Sequence, residues 1–398
     1  MLSRAKIKQY MEEKGIATFT ELASRMGITK NQLSVMLSST YCPIKSRVCL
    51  LAEILEVDPL QIISSTTTGN AEPAGITGIE LFAGAGGLAL GLEQAGINNV
   101  AFIEFDKVCC ETLKENRPEW NVICDDIHNV DFTPYKGVDF VSGGFPCQAF
   151  SYAGKKLGFE DTRGTLFHEY ARCLKEVQPK MFLAENVRGL VSHDHGRTLE
   201  TILSVFSSLG YTVQTKILNA CYLGVPQKRE RIVIIGIRND LVNEIHYTFP
   251  EPEKEWTTLR EGLKDCPVSQ GQAYSERKKA VLDLVPPGGC WVDLPEDIAK
   301  EYMGKSYYSG GGRRGMARRI SWDEPCLTLT CSPSQKQTER CHPDETRPFT
   351  VREYARIQSF PDDWDFVGGL TDQYKQIGNA VPVEMARRIG VSIVNALS

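Results

Sequence analysis

The chain has 398 residues, 42% of them hydrophobic and 24% charged, with a net charge of −5. That length suits two to three domains with a large core, and the acidic balance excludes a protein coated in basic surface but not a local basic groove. No apolar run approaches the roughly 18 residues of a membrane span, and Arg4, Lys6, Lys8, Glu12, Glu13 and Lys14 leave no apolar stretch for a signal peptide, so a cytoplasmic protein is expected.

Residues 1–63 read as short helices. Leu22, Ala23 and Met26 fit one helix face, Gly27 permits a tight turn, and Ile28 plugs in behind it. Thr29 can cap a second helix with buried Leu33, Met36 and Leu37. A small Ala four residues before a turn Gly is the spacing of a helix-turn-helix, because it lets two helices cross closely. Ile7 to Met11 and Val48 to Leu55 supply flanking helices. The second helix would present Lys30, Asn31, Gln32, Ser34 and Val35 outward, with Lys30 and Gln32 as candidate DNA contacts. The rival reading is a helical packing or dimer domain. Residues 1–50 hold eight Lys/Arg (4, 6, 8, 14, 25, 30, 45, 47) against three Glu (12, 13, 21), which favours a polyanion as partner. Ser64 to Gly75 has no large apolar residue and reads as a linker.

From residue 76 to about 240 strands alternate with helices. Gly78–Phe82 is an apolar strand, followed by a glycine-rich turn and a helix from about Leu88. Val100–Ile103, Val138–Ser142, Met181–Ala184 and Ile232–Ile237 are further strands, and another is expected before Asp125. This predicts a doubly wound α/β fold with a mostly parallel sheet, whose ligands bind at the carboxyl ends of the strands. Residues 241–345 lose that rhythm and read as a second, smaller domain. Residues 346–398 return to helical patterning. Between Lys305 and Arg319 lie Lys305, Arg313, Arg314, Arg318 and Arg319 with no acid, interleaved with Tyr307, Tyr308 and a Gly310-Gly311-Gly312 run. This stretch is either a solvated loop or a flexible arm for phosphates.

The candidate chemistry falls at the strand ends. Gly84-x-Gly86-x-x-Ala89 allows a close approach of backbone to a cofactor, and Glu104 about twenty residues on could accept from ribose hydroxyls. The pattern fits a dinucleotide dehydrogenase and an adenosyl-cofactor enzyme equally. Asp126 could accept from an adenine amino group, with Ile127 on the ring face. Thirteen cysteines without a C-x-x-C pair suggest small buried apolar residues rather than a zinc site or disulfide scaffold, and no metal is expected. Cys147 differs: Gly143-Gly144-Phe145-Pro146 precedes it, a rigid turn beyond a buried strand that would display a nucleophile. A dehydrogenase has no use for a thiol there. Glu185 ends the strand MFLA and is a candidate acid. Gln227, Arg229 and Arg231 alternate along an extended segment and would share one face.

The ordered motifs ELFAGAGG, IEFD, DDI, GGFPCQAFS, GTLF, ENV, QKRERI, VREYARIQSFP and QIGNAVPV resemble the cytosine-5 DNA methyltransferase family over about residues 76–398, apart from 241–320. Glu80 stands where many members have Asp. The resemblance implies methylation of carbon 5 of cytosine in duplex DNA, with S-adenosyl-L-methionine as donor and the base flipped out of the helix. It implies that Cys147 adds to carbon 6, that Glu185 supplies a proton or hydrogen bond to ring nitrogen 3, and that Arg231 holds the carbonyl oxygen, with Arg229 and Gln227 beside it. The donor would lie on Phe82, Gly84, Gly86, Glu104, Asp126, Ile127, Pro146, Leu166, Asn379 and Val381. Gln148, Ser151 and Arg163 would grip DNA. The zone from 241 to 345, with Arg313, Arg314, Arg318 and Thr328, resembles the family's target-recognition region. The expected setting is a restriction–modification system or phage, the enzyme a monomer on its target, and the N-terminal domain a repressor that could dimerise at an operator. An RNA cytosine methyltransferase of the same fold, and a regulator with an inactive catalytic lobe, are the alternatives.

Overall fold

The computed structural model describes residues 4–16, 18–37, 45–57, 62, 75–146, 165–308 and 315–398. All but the last residue of the expected linker lies outside them. The chain divides into two units, residues 1–73 and 74–398.

The first unit holds α1 (Arg4–Glu13), α2 (Phe19–Arg25), α3 (Lys30–Met36) and α4 (Lys45–Leu55). Its core joins Ile7, Met11, Leu22, Ala23, Met26, Leu33, Met36, Leu37, Leu51 and Leu55. Gly27 turns the chain between α2 and α3 at φ +67°, a conformation that costs glycine nothing. Thr29 Oγ1 accepts from Gln32 N at 3.2 Å, and Gln32 Oε1 accepts from Thr29 N at 2.8 Å. This reciprocal capping box starts α3.

The second unit is built on seven strands: β1 (Thr77–Leu81), β2 (Asn98–Glu104), β3 (Val122–Cys124), β4 (Phe140–Gly143), β5 (Met181–Val187), β6 (Tyr211–Asn219) and β8 (Glu230–Arg238). Their order is β3-β2-β1-β4-β5-β8-β6. The first five pair in parallel, and β8 runs antiparallel between β5 and β6. Ile232 to Ile235 are buried in a continuous run, as suits a strand covered on both faces. β6 has no such run. It is an edge strand with mostly polar, exposed residues from Thr212 to Lys216, so an apolar pattern does not reveal it.

Helices cover the sheet: α5 (Gly87–Ala95), α6 (Lys107–Asn116), α7 (Leu166–Val177), α8 (Arg197–Ser208) and, beyond residue 345, α12 (Val351–Ile357), α13 (Leu370–Asn379) and α14 (Val383–Leu397). α14 lies directly on α5. A Cβ on Gly91 would strike Ala386 and the Val383 carbonyl, and one on Gly390 would lie 2.6 Å from Ala95 Cβ. That close approach buries Leu88, Leu92, Ile389 and Ile393 together, at about 1.5–3 kcal/mol for each large side chain. The last fifty residues are thereby part of the sheet domain.

Residues 241–345 are joined to that domain rather than hung from it. Ile245 and Tyr247 pack in the core beside β8. The short helices α9 (Leu259–Gly262), α10 (Glu276–Leu282) and α11 (Glu296–Met303) lie in this zone. Leu259, Leu263, Ile320 and Leu329 share a core with Phe349, Tyr354 and Trp364. Two-residue strands β7 (Gln227–Lys228) and β9 (Cys326–Leu327) pair in parallel across the join. A smaller core holds Tyr274, Leu282, Val285, Leu294, Ala299, Ala317 and Cys341. Arg319 takes no part in a flexible arm. It is 5% exposed, and its guanidinium donates to the carbonyls of Leu282, Val285, His342 and Pro343 and to Thr346 Oγ1. It clamps backbone and has nothing left for a phosphate. Among the described residues no helix is long and apolar enough to cross a membrane.

Candidate active site

One cavity of about 960 Å³ opens at the carboxyl ends of the strands. Its first wall is made of turns. β1 ends at Leu81, and Phe82 takes φ +57°, a left-handed conformation costing a side-chain-bearing residue about 1–3 kcal/mol. Gly84 follows at φ +54°, with open space where a Cβ would stand. Its N–H donates to Glu104 Oε2 at 2.7 Å, and Asp106 N–H donates to Glu104 Oε1 at 2.7 Å. Both carboxylate oxygens thus lock two backbone turns, while burial pushes the Glu104 pKa up. Phe105, 71% exposed, stands beside it on the cavity. Asp126 Oδ1 accepts from His128 N at 3.0 Å, and that bond holds the carboxyl below its ordinary range. Ile127, Leu166, Asn379 and Val381 complete this side. Asn379 Oδ1 accepts from Cys331 Sγ at 2.9 Å.

The opposite wall is made of charged side chains. Antiparallel pairing sets Arg231 opposite Val187, diagonal to Glu185 on the same face. Arg231 Nε lies 2.7 Å from Glu185 Oε1, the side chains 11% and 12% exposed. The contact lacks hydrogen-bond alignment, and among the described residues Glu185 Oε1 has no hydrogen-bond partner. A Cβ on Gly144 would lie 2.8 Å from Glu185 Oε2. Glycine is what lets the segment leading to Cys147 pass the acid. Asn186 Nδ2 donates to Phe145 O at 2.8 Å, tying that segment to β5, and Pro146 lines the cavity.

Two expected site residues stand elsewhere. Gly86 is a packing glycine, where a Cβ would meet Leu113 Cδ2 at 2.7 Å and Trp364 Cζ2 at 2.8 Å. Gln227 is fully buried behind the wall, bonded to Gln358 and to Leu329 N. The expected common face is therefore not a common role: Arg231 meets Glu185, whereas Arg229 donates to the carbonyls of Leu329 and Gly378. Thr328 lines the cavity, but its hydroxyl donates to Lys228 O at 2.7 Å. Arg318 is largely buried, 3.9 Å from Glu324. Lys30 and Gln32 are exposed on α3. Cys147, Gln148, Ser151, Arg163, Arg313 and Arg314 lie outside the described residues. Glu80 is 1% exposed, accepts from Ser142 Oγ at 3.3 Å, and is pushed up to about 8 by burial.

Phe105, Asn186 and Cys331 were not singled out in the sequence. Phe105 follows Glu104 and Asn186 follows Glu185, so adjacency to a strand-end acid was the available signal. Cys331 had none.

A doubly wound sheet thus carries a glycine turn, a strand-end acid beside it and a charged wall opposite, all on one cavity. Residues 76–395 match the model of the C-5 cytosine-specific DNA methylase family, and residues 6–66 match that of the Cro/C1-type helix-turn-helix DNA-binding domain. The type II methyltransferase M.Sau96I of Staphylococcus aureus is 54% identical over 100% of this chain and 99% of its own. M.Eco47II of Escherichia coli is 61% identical over 81% of this chain and 79% of its own. A solved structure of DNMT2 from Spodoptera frugiperda, 17% identical, covers 80% of this chain and 99% of its own at a TM-score of 0.58, a likeness of fold. The chain belongs to the C-5 cytosine-specific DNA methylase family. It is a DNA cytosine-5 methyltransferase with an N-terminal helix-turn-helix domain.

Proposed function

We propose that the chain methylates carbon 5 of one cytosine within a specific duplex sequence, through a covalent adduct of Cys147 on a flipped base. The observation that carries this is the Glu185–Arg231 wall, set beside the Phe145–Pro146 segment on one cavity with the Gly84–Glu104 wall. Open space at Gly84, exposed Phe105 and the Asp126 carboxylate suit an adenosyl group. Phe82, Gly84, Glu104, Phe105, Asp126, Ile127, Leu166, Asn379 and Val381 would hold it. S-adenosyl-L-methionine, when bound, supplies an electrophilic methyl group on its sulfonium.

Carbon 5 of cytosine is too weak a nucleophile unaided. Cys147 adds as thiolate to carbon 6, and Glu185 holds a proton at nitrogen 3 as charge develops there. Arg231 keeps the carbonyl oxygen in place. Carbon 5 is then electron-rich enough to take the methyl group, and loss of its proton expels the Cys147 sulfur. A duplex carrying 5-fluorocytosine has no such proton to lose. It should trap the wild type as a stable adduct and give none with Cys147→Ala. An adduct with the variant sinks the assignment. Bisulfite sequencing of host DNA, with and without expression, gives the target.

The N-terminal domain is a separate DNA reader, proposed to bind an operator as a dimer and repress the chain's own gene. Its basic balance supports a polyanion partner. The catalytic unit has its own recognition zone, so methylation does not need a second reader. A chain beginning at Ala74 should methylate the same sites within about twofold but fail to repress its promoter. Full repression by the shortened chain refutes the regulatory role.

A further inference from the structure

Arg229, expected to share a face with Arg231, is turned to backbone carbonyls instead. It is 2% exposed, and no carboxylate bonds to it among the described residues. Burial and neighbouring Arg231 pull its pKa down to about 9, and its Nε is buried without a partner among the described residues. A buried cation without a counter-ion is expensive to keep. Its two bonds show what it does. Nη1 donates to Leu329 O at 3.2 Å, and Nη2 donates to Gly378 O at 3.0 Å. Leu329 follows Thr328 in the recognition zone. Gly378 precedes Asn379 on the donor side. Both segments line the one cavity.

The neighbours reinforce the same junction. Leu329 N donates to Gln227 Oε1 at 2.9 Å, so the Leu329 residue is pinned through its N–H and its carbonyl. Gln227 Nε2 donates to Gln358 Oε1 at 2.8 Å, and Gln358 Nε2 donates to Ile377 O at 2.7 Å and Ala380 O at 3.1 Å. A Cβ on Gly378 would lie 2.9 Å from Cys331 N, so the two segments also touch directly. A planar fork can hold two carbonyls in a fixed relation, whereas an ammonium on a flexible stem cannot.

We propose that Arg229 is a positioning residue that couples the two ligands: by holding Leu329 and Gly378 in one fork, it makes filling of the donor side and seating of the target DNA favour each other. The proposal rests on the methyl-transfer reading above. Coupling between two binding sites is reciprocal, with typical factors of about 5–150, which makes it measurable from either side.

The test uses the full chain, S-adenosyl-L-homocysteine as non-reacting donor analogue, and the duplex found by bisulfite sequencing. In the wild type the analogue should tighten duplex binding by about tenfold, and the duplex should tighten analogue binding by the same factor. In Arg229→Lys each ligand alone should bind within a few-fold of wild type, while the factor falls to about twofold or less. A merely structural role would weaken both ligands and leave the factor intact. Should Arg229→Lys not fold, Gln227→Ala releases Leu329 N from the same junction and should lower the factor. An unchanged factor in either variant, or none in the wild type, overturns the proposal. Methylation by the wild type is followed in parallel: its absence overturns the functional reading too, while its presence with an unchanged factor removes only the coupling.

Discussion

The two walls of the cavity are built by different means. The donor wall is backbone: Phe82, Gly84 and Asp106 placed by turns, with Glu104 locking two N–H groups through its two oxygens. The acceptor wall is charge: Glu185 and Arg231 on antiparallel strands, held against each other with little solvent. A wall of backbone is fixed before a ligand arrives and contributes shape and binding. A wall of paired charges can redistribute a proton and a bond as a base enters, and contributes to the rate. Substitutions on the acceptor wall should therefore fall on turnover, and those on the donor wall on affinity for the donor.

The largest effect should come from Glu185→Gln. The amide keeps the shape and can donate a hydrogen bond, but it has no proton to transfer. Turnover should fall by about 100-fold or more, the scale of one general acid, with donor and duplex binding near normal. Single-turnover methylation at saturating ligands reads this directly. Unchanged turnover would place the chemistry elsewhere and remove the contrast between the walls.

Glu104→Gln should act on the other axis. A carboxylate accepts from both Gly84 N and Asp106 N, whereas an amide has one accepting oxygen and must turn its NH₂ toward the other donor. One turn is released. KM for the donor should rise about tenfold, matching the loss of one charged hydrogen bond of about 1.5 kcal/mol. The turnover number should stay within about threefold. A fall in turnover equal to that of Glu185→Gln would show that the walls are not separable.

The same difference explains what could be read from the sequence. Backbone-built features are local. The glycine turn, the strand before it, Glu104 at its spacing, and the Gly27 turn with its Leu22, Ala23, Met26 and Leu33 core are each legible within a few dozen residues. Charge-built features need two distant segments in register. The sequence marks Glu185 and Arg231 as candidates and leaves open whether the arginine holds a phosphate, a carbonyl oxygen or the acid; their pairing depends on β8 running antiparallel to β5. Gln227, Arg229 and Arg319 show the limit most sharply. An arginine in a basic, glycine-rich stretch and an arginine clamping backbone look alike in sequence, since the carbonyls that decide between them come from segments far along the chain. β6 escaped because an edge strand needs few apolar residues.

The smallest expected effect tests whether an exposed ion pair at the lip adds to the donor wall. Lys375 on α13 lies 2.8 Å from Asp106 at the lip of the cavity, the side chains 53% and 32% exposed. The lysine holds the Asp106 carboxyl below its usual range. Asp106 also caps α6 by accepting from Val108 N at 3.1 Å. Two functions are thus superimposed on one carboxyl, and they can be separated. Asp106→Asn keeps the cap, because asparagine caps about as well as aspartate, and removes the ion pair. Lys375→Ala removes the pair and leaves the cap untouched. Exposed pairs contribute about 0–1 kcal/mol and are screened by salt. Both variants should therefore raise KM for the donor by no more than about two- to threefold at low ionic strength. The difference from wild type should disappear near 1 M salt, where the Debye length is about 3 Å. A tenfold rise that persists in high salt would mean that a charged lip, and not the locked turns behind it, fixes the donor in place.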